Sequence, residues 1–113
     1  MDRSDFPLPP AAFFILFALA GGDKHGYAIM QETREISEGK FPIGPATLYT
    51  TIQRLLESRW IREAPAPAGA DSRRRYYRLT RDGTAVLNLE LERMESMVRK
   101  AKAMRLRSAE SAS

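Results

Sequence analysis

The most concentrated positive charge in this chain of 113 residues is the run Arg73-Arg74-Arg75, and the formal net charge is +4. Three guanidiniums at a hairpin tip can straddle a sugar-phosphate backbone beside a minor groove. In a strand, neighbours alternate faces, so the three do not all point one way, and Asp71 or Glu63 is placed to pair with one of them. A second set lies in PATLYTTIQRLLE, where Thr47, Thr50, Thr51 and Arg54 fall largely on one side of a helix. That side is short, polar and almost uncharged apart from Arg54, which suits close approach to another surface. Hydroxyls there contact phosphates or base edges, and a guanidinium one turn on reaches a phosphate or a guanine.

Lys24 and His25 stand at the start of another helix and are secondary candidates for phosphate contact. His25 is equally a candidate helix cap or pH switch. Tyr76 and Tyr77 adjoin the arginines, and aromatics beside basic residues can stack on single-stranded bases. Strand alternation turns one of the two inward, so they read first as packing residues.

Several chemistries are excluded. The chain has no cysteine, which removes disulfides, thiolate metal sites and cysteine nucleophiles and agrees with a cytoplasmic location. His25 is the single histidine, so no zinc site is expected. There is no Ser-His-Asp set, paired-carboxylate spacing or phosphate-cradling glycine loop, so neither enzyme activity nor a cofactor is expected. The apolar run over residues 11–20 is about half the roughly 20 residues that span a bilayer. It follows a segment carrying Asp2, Arg3 and Asp5, so a buried helix is expected, with no signal peptide, anchor or membrane partner.

Five elements must position these residues. Residues 1–10 read as an extended arm stiffened by Pro7, Pro9 and Pro10, and a helix can start at either of the last two. That helix is apolar nearly all round and stops at Gly21-Gly22. A second helix is expected from Asp23 or Lys24 to Gly39, with Tyr27, Met30 and Ile36 on its apolar side and Ile29 beside them. Gly26 next to Tyr27 suggests close backbone packing. A third helix covers about residues 45–58, with Leu48, Ile52, Leu55 and Leu56 facing the core. A hairpin follows, with strands over residues 60–64 and 73–79 around the loop PAPAGADS. Thr80 can cap the last helix, with Asp82 in its first turn. The fold class expected is mainly α with a small β-hairpin, a winged helix-turn-helix with a long C-terminal dimerisation helix. The divisions are arm 1–10, winged domain 11–80, dimerisation helix 81–107 and frayed tail 108–113.

Three segments, HGYAIMQ, GPATLYTTIQRLLE and RRRYYRLTRDG, occur in this order. In them the chain resembles the PadR family of transcriptional regulators, over about residues 16–87, and its last helix fits the subgroup with a short C-terminal region. The resemblance implies a DNA-binding homodimer, commonly a repressor. It implies that Tyr49, the tyrosine of the family's LY pair, reaches a DNA phosphate, and it sets Thr47 and Thr50 at groove edges. Two positions depart from the family pattern. Thr50 replaces a common proline after LY. Arg59 replaces the common glycine in ESRWI, where a left-handed non-glycine residue costs on the order of 1 kcal/mol, so a turn of different shape is expected.

Leu87, Leu91, Met94, Val98 and Ala101 alternate spacings of four and three, a heptad stripe that needs a partner. With Phe13 and Phe17 they are the candidate dimerisation residues. Two copies would carry two recognition helices to a palindromic operator with half-sites about 34 Å apart. PadR-like proteins often respond to small aromatic or hydrophobic compounds, and Phe14, Met94 and Met97 form a candidate pocket for such an effector. The rival reading is a winged-helix module for protein contacts, without affinity for duplex DNA.

Overall fold

The computed structural model describes residues 7–71 and 73–112. Residues 1–6 of the expected arm and 113 of the expected tail lie outside them.

The first helix, α1 (Pro10–Ala20), forms the centre of the molecule. Pro9 precedes it and Pro10 opens it, where a missing N–H costs nothing. Its apolar circumference is covered as the sequence requires, with Ile15, Leu16 and Ala18 fully buried. The chain leaves α1 through Gly21 and Gly22, the latter at φ 134°, a conformation that disfavours any side chain.

The second helix, α2 (Gly26–Ile36), starts two to three residues later than the sequence suggests. Lys24 and His25 instead form a two-residue strand, β1 (Lys24–His25). His25 caps α2, its Nδ1 accepting from the Ala28 N–H at 3.3 Å. The buried side of α2 is Gly26, Ile29 and Thr33, whereas Tyr27 is 58% exposed. Tyr27, expected inside, therefore faces out. The buried Thr33 hydroxyl is satisfied by donating to the Met30 carbonyl at 2.8 Å.

The third helix, α3 (Pro45–Glu57), buries Leu48, Ile52 and Leu55 against α1. Each such residue contributes about 1.5–3 kcal/mol of apolar burial. Its C-terminus closes in a Schellman turn, with Trp60 N–H donating to the Leu55 carbonyl and Arg59 N–H to the Leu56 carbonyl. Arg59 sits at φ 61°. The turn thus keeps its left-handed shape, contrary to expectation, and Arg59 bears the strain. The surroundings enforce it: the Thr80 hydroxyl donates to the Arg59 carbonyl at 2.7 Å, and Thr80 N–H donates to the Trp60 carbonyl at 3.0 Å.

The wing is built from β2 (Ile61–Ala64) and β3 (Tyr76–Leu79), with β1 on the far side of β3. All pairing is antiparallel, so the expected hairpin is the larger part of a three-stranded sheet. The register sets His25 opposite Tyr76 and Glu63 opposite Tyr77. It also sets Arg62 opposite Arg78, a like-charge pair that is unfavourable by itself. Asp23 offsets it by accepting from Arg78 in a forked pair at 2.6–3.1 Å. β3 starts at Tyr76, so Arg73, Arg74 and Arg75 belong to the loop and not to the strand.

The last helix, α4 (Arg81–Ala112), is capped by Thr80, whose Oγ1 accepts from Gly83 N–H at 3.0 Å. The helix continues through 108–112, the stretch read as tail. Val86, Leu87 and the carboxylate-bearing Glu90 are buried on the core. Glu90 is satisfied by Leu8 N–H and by the Arg93 guanidinium, which ties the arm to α4. Among the described residues, no helix is long and apolar enough to cross a membrane.

Candidate nucleic-acid interface

The core-facing residues of α3 turn its opposite face outward. Thr47, Thr50, Gln53 and Arg54 are all exposed there. Gln53 was not singled out in the sequence, although it lies one turn beyond Thr50. Its amide can pair with an adenine edge.

Tyr49 lies at the margin of this face and leans toward α2. A Cβ built on Gly26 would stand 2.9 Å from the Tyr49 hydroxyl oxygen. The glycine of HGY thus makes room for the tyrosine of LY, and the two segments form one wall. The wing forms the other. Between them lies an open cleft of about 360 Å³, lined by His25, Gly26, Tyr27 and Tyr49 on one side and by Arg73, Arg74, Arg75 and Tyr77 on the other.

The three arginines have different partners. Arg73 holds Asp71 at 3.2 Å, and Arg75 holds Glu63 at 3.5 Å. Both pairs are exposed, so they exchange for other anions at little cost. Arg74 Nη1 reaches His25 Nε2 at 2.8 Å. Asp71 is held below the usual carboxylate range by its hydrogen bonds from Arg73. Burial, and then the Arg74 charge, push the His25 imidazole below 6.5, so the neutral ring is favoured. Tyr77 is the inward member of its pair, and burial raises its phenol above 10.0.

Lys24 is placed elsewhere, and Arg54 lies at the edge of the exposed α3 face. Lys24 directs its ammonium to the Ala18 carbonyl at 2.7 Å, at the C-terminus of α1, where a cation is favoured. It is not part of the cleft wall. Arg54 shares a second cavity of about 270 Å³ with Pro7, Pro9, Ala11, Thr51 and Trp60, on the other flank of α3.

The candidate dimerisation residues divide. Phe13 and Leu87 are buried in the chain's own core, which already occupies them. Leu91, Val98 and Ala101 are exposed, with Met97 and Met104 beside them, and Phe17 is 38% exposed beside Phe13. Met94 is half-buried against the core. Phe14 stacks on Phe41 at 5.1 Å, whereas Met97 lies far along α4 against Arg93. Neither of the two cavities described is lined by Phe14, Met94 or Met97. Among the described residues, no group of three metal-ligating side chains is present.

Three core helices, a wing and an exposed polar face on α3 define a winged helix-turn-helix protein. The model of the transcriptional regulator PadR-like family matches residues 15–89, and the chain belongs to that family. It is 34% identical over 88 residues to a Lysinibacillus sphaericus chain called "Uncharacterized protein X", covering 78% of this chain and 81% of the other. The structure of a transcriptional regulator from Clostridium thermocellum superposes with a TM-score of 0.65 at 28% identity, covering 81% of this chain and 89% of that one. A PadR family transcription regulator from Clostridium difficile gives 0.68 at 23% identity, covering 87% and 99%, and shares the fold.

Proposed function

We propose that the chain binds duplex DNA as a homodimer, reads a roughly palindromic operator and represses transcription from it. The observation that carries this reading is the placement of the exposed α3 face beside the arginine-lined cleft, so that one approaching duplex meets both. Thr47, Thr50, Gln53 and Arg54 face the major groove, and Arg73, Arg74 and Arg75 follow the adjacent backbone. The exposed stripe of Leu91, Met97, Val98, Ala101 and Met104 supports pairing through α4. A small hydrophobic effector would act by favouring one spacing of the two heads at this α4 surface.

Fluorescence anisotropy on duplexes from the chain's own promoter tests the reading. Affinity should fall steeply with salt, because each neutralised phosphate releases counterion. Footprinting should protect two half-sites about one helical turn apart. Absence of duplex binding at low salt, for wild type and for the variant with all three wing arginines changed to alanine alike, would favour a protein-contact module instead.

A further inference from the structure

A neutral His25 ring cannot accept from both of the donors that approach it. A neutral imidazole has a single acceptor nitrogen, and a guanidinium has only donors. Two donors nevertheless converge on this ring. Ala28 N–H approaches Nδ1 at 3.3 Å, and Arg74 Nη1 lies 2.8 Å from Nε2. The ring can accept from one of them alone. The cap on Ala28 is fixed by the backbone of α2, whereas Arg74 is an exposed loop side chain. Accepting from Arg74 would give up the cap, whereas keeping the cap puts the proton on Nε2, pointing at the Arg74 guanidinium. Tyr76 stands edge-on to the same ring at 5.3 Å and holds its plane.

In that tautomer two donors face each other and need an acceptor between them. The carboxylates of the wing do not supply it, since Asp71 is held by Arg73 and Glu63 by Arg75. The pair opens on the 360 Å³ cleft, whose wall on the His25 side also carries the Tyr49 phenol over Gly26.

We propose that this cleft seats one phosphate group, an oxygen of which accepts from both His25 Nε2–H and the Arg74 guanidinium. In DNA binding, on which this assignment rests for its natural ligand, the group is a backbone phosphodiester. His25 then acts as a neutral donor locked by its own cap, and Arg74 swings a short distance from ring to phosphate. The contact fixes the wing against the start of α2 at the moment the duplex arrives.

The single histidine makes the test direct. Long-range proton–nitrogen correlation spectra of ¹⁵N-labelled protein report the His25 tautomer. The expected result is an Nε2–H ring whose Nε2 signal moves on adding millimolar inorganic phosphate, and moves further with a promoter duplex. Arg74→Ala should abolish most of the phosphate response. His25→Asn keeps a capping oxygen but withdraws the Nε2 donor, and should weaken duplex binding about tenfold with unchanged thermal stability. A ring protonated on Nδ1, or signals that phosphate and duplex both leave unmoved while anisotropy shows the duplex bound, would overturn the seat and leave DNA binding standing. Signals that move with phosphate in a protein that binds no duplex would keep the seat and remove the reading of DNA as its ligand.

Discussion

The Cα of Gly26 and the hydroxyl of Tyr49 are neighbours: a methyl group added at residue 26 would lie 2.9 Å from that oxygen. The relationship joins the start of α2 to the start of α3 and sets the direction of the Tyr49 ring. The neighbour is the far end of an exposed side chain, so the ring can yield. Gly26→Ala should therefore leave stability unchanged or raise it by up to about 1 kcal/mol, through helix propensity. It should weaken duplex binding several-fold by displacing Tyr49. Thermal unfolding and anisotropy on the same sample separate the two effects. Equal duplex affinity in the variant would remove Tyr49 from the interface.

Gly83 meets a rigid neighbour. A Cβ there would stand 1.9 Å from the Trp60 carbonyl oxygen, which also accepts from Thr80 N–H. Neither backbone can withdraw without breaking the junction of α3, β2 and α4. Gly83→Ala should cost on the order of 3 kcal/mol in urea unfolding, among the larger effects of a single methyl group. A loss below about 1 kcal/mol would show that the junction yields.

Arg59 offers the opposite sign. It holds φ 61° at the end of α3, where glycine carries no steric penalty. Arg59→Gly should stabilise the protein by about 0.5–1 kcal/mol, after the greater entropy of the unfolded glycine is taken off. A lower urea midpoint in the variant would mean that the arginine side chain supplies more than its backbone costs.

Acid should weaken the fold in two separate windows. Burial, and then Arg74, hold His25 below its ordinary 6.5. Between the folded value and 6.5 the unfolded chain binds more protons, so stability rises with pH there. The contribution is complete above about 6.5 and is lost as pH falls through the folded value. Asp23 is held below 3.8 chiefly by its hydrogen bonds from Arg78, so its contribution is present above 3.8 and is lost at lower pH still. The urea midpoint should drop as pH falls below about 6.5 in the wild type, and much less in His25→Asn. Identical slopes would show that the ring is not shifted.

Val98 is 51% exposed on the outer part of α4 and takes no part in the chain's own core. Val98→Glu should raise the dimer dissociation constant about 100-fold while leaving unfolding of the winged domain unchanged. Size-exclusion chromatography with light scattering reads the result. A monomeric wild type at micromolar concentration would remove the dimer.

Periodicity alone identified the buried face of α3, because Leu48, Ile52 and Leu55 repeat with the helix, whereas the burial of α1 followed from its being apolar nearly all round. Periodicity failed on α2. Tyr27 lies exposed while Thr33 is buried, since Gly26 gives its space to Tyr49 and a threonine can satisfy its hydroxyl within its own helix. The strand β1 was invisible, because two residues carry no pattern and exist as a strand only through pairing with β3.

The wing arginines show the same division. Their types and number belong to the sequence, as does the presence of Asp71 and Glu63 as possible partners. That Arg73 and Arg75 take those carboxylates while Arg74 reaches a histidine 49 positions away was decided by tertiary structure. Residue type and helical or strand period are local properties, and a linear chain displays them in full. Which donor meets which acceptor depends on the register of β1 against β3 and the closure of the loop before Tyr76, and those distances exist only once the sheet has formed.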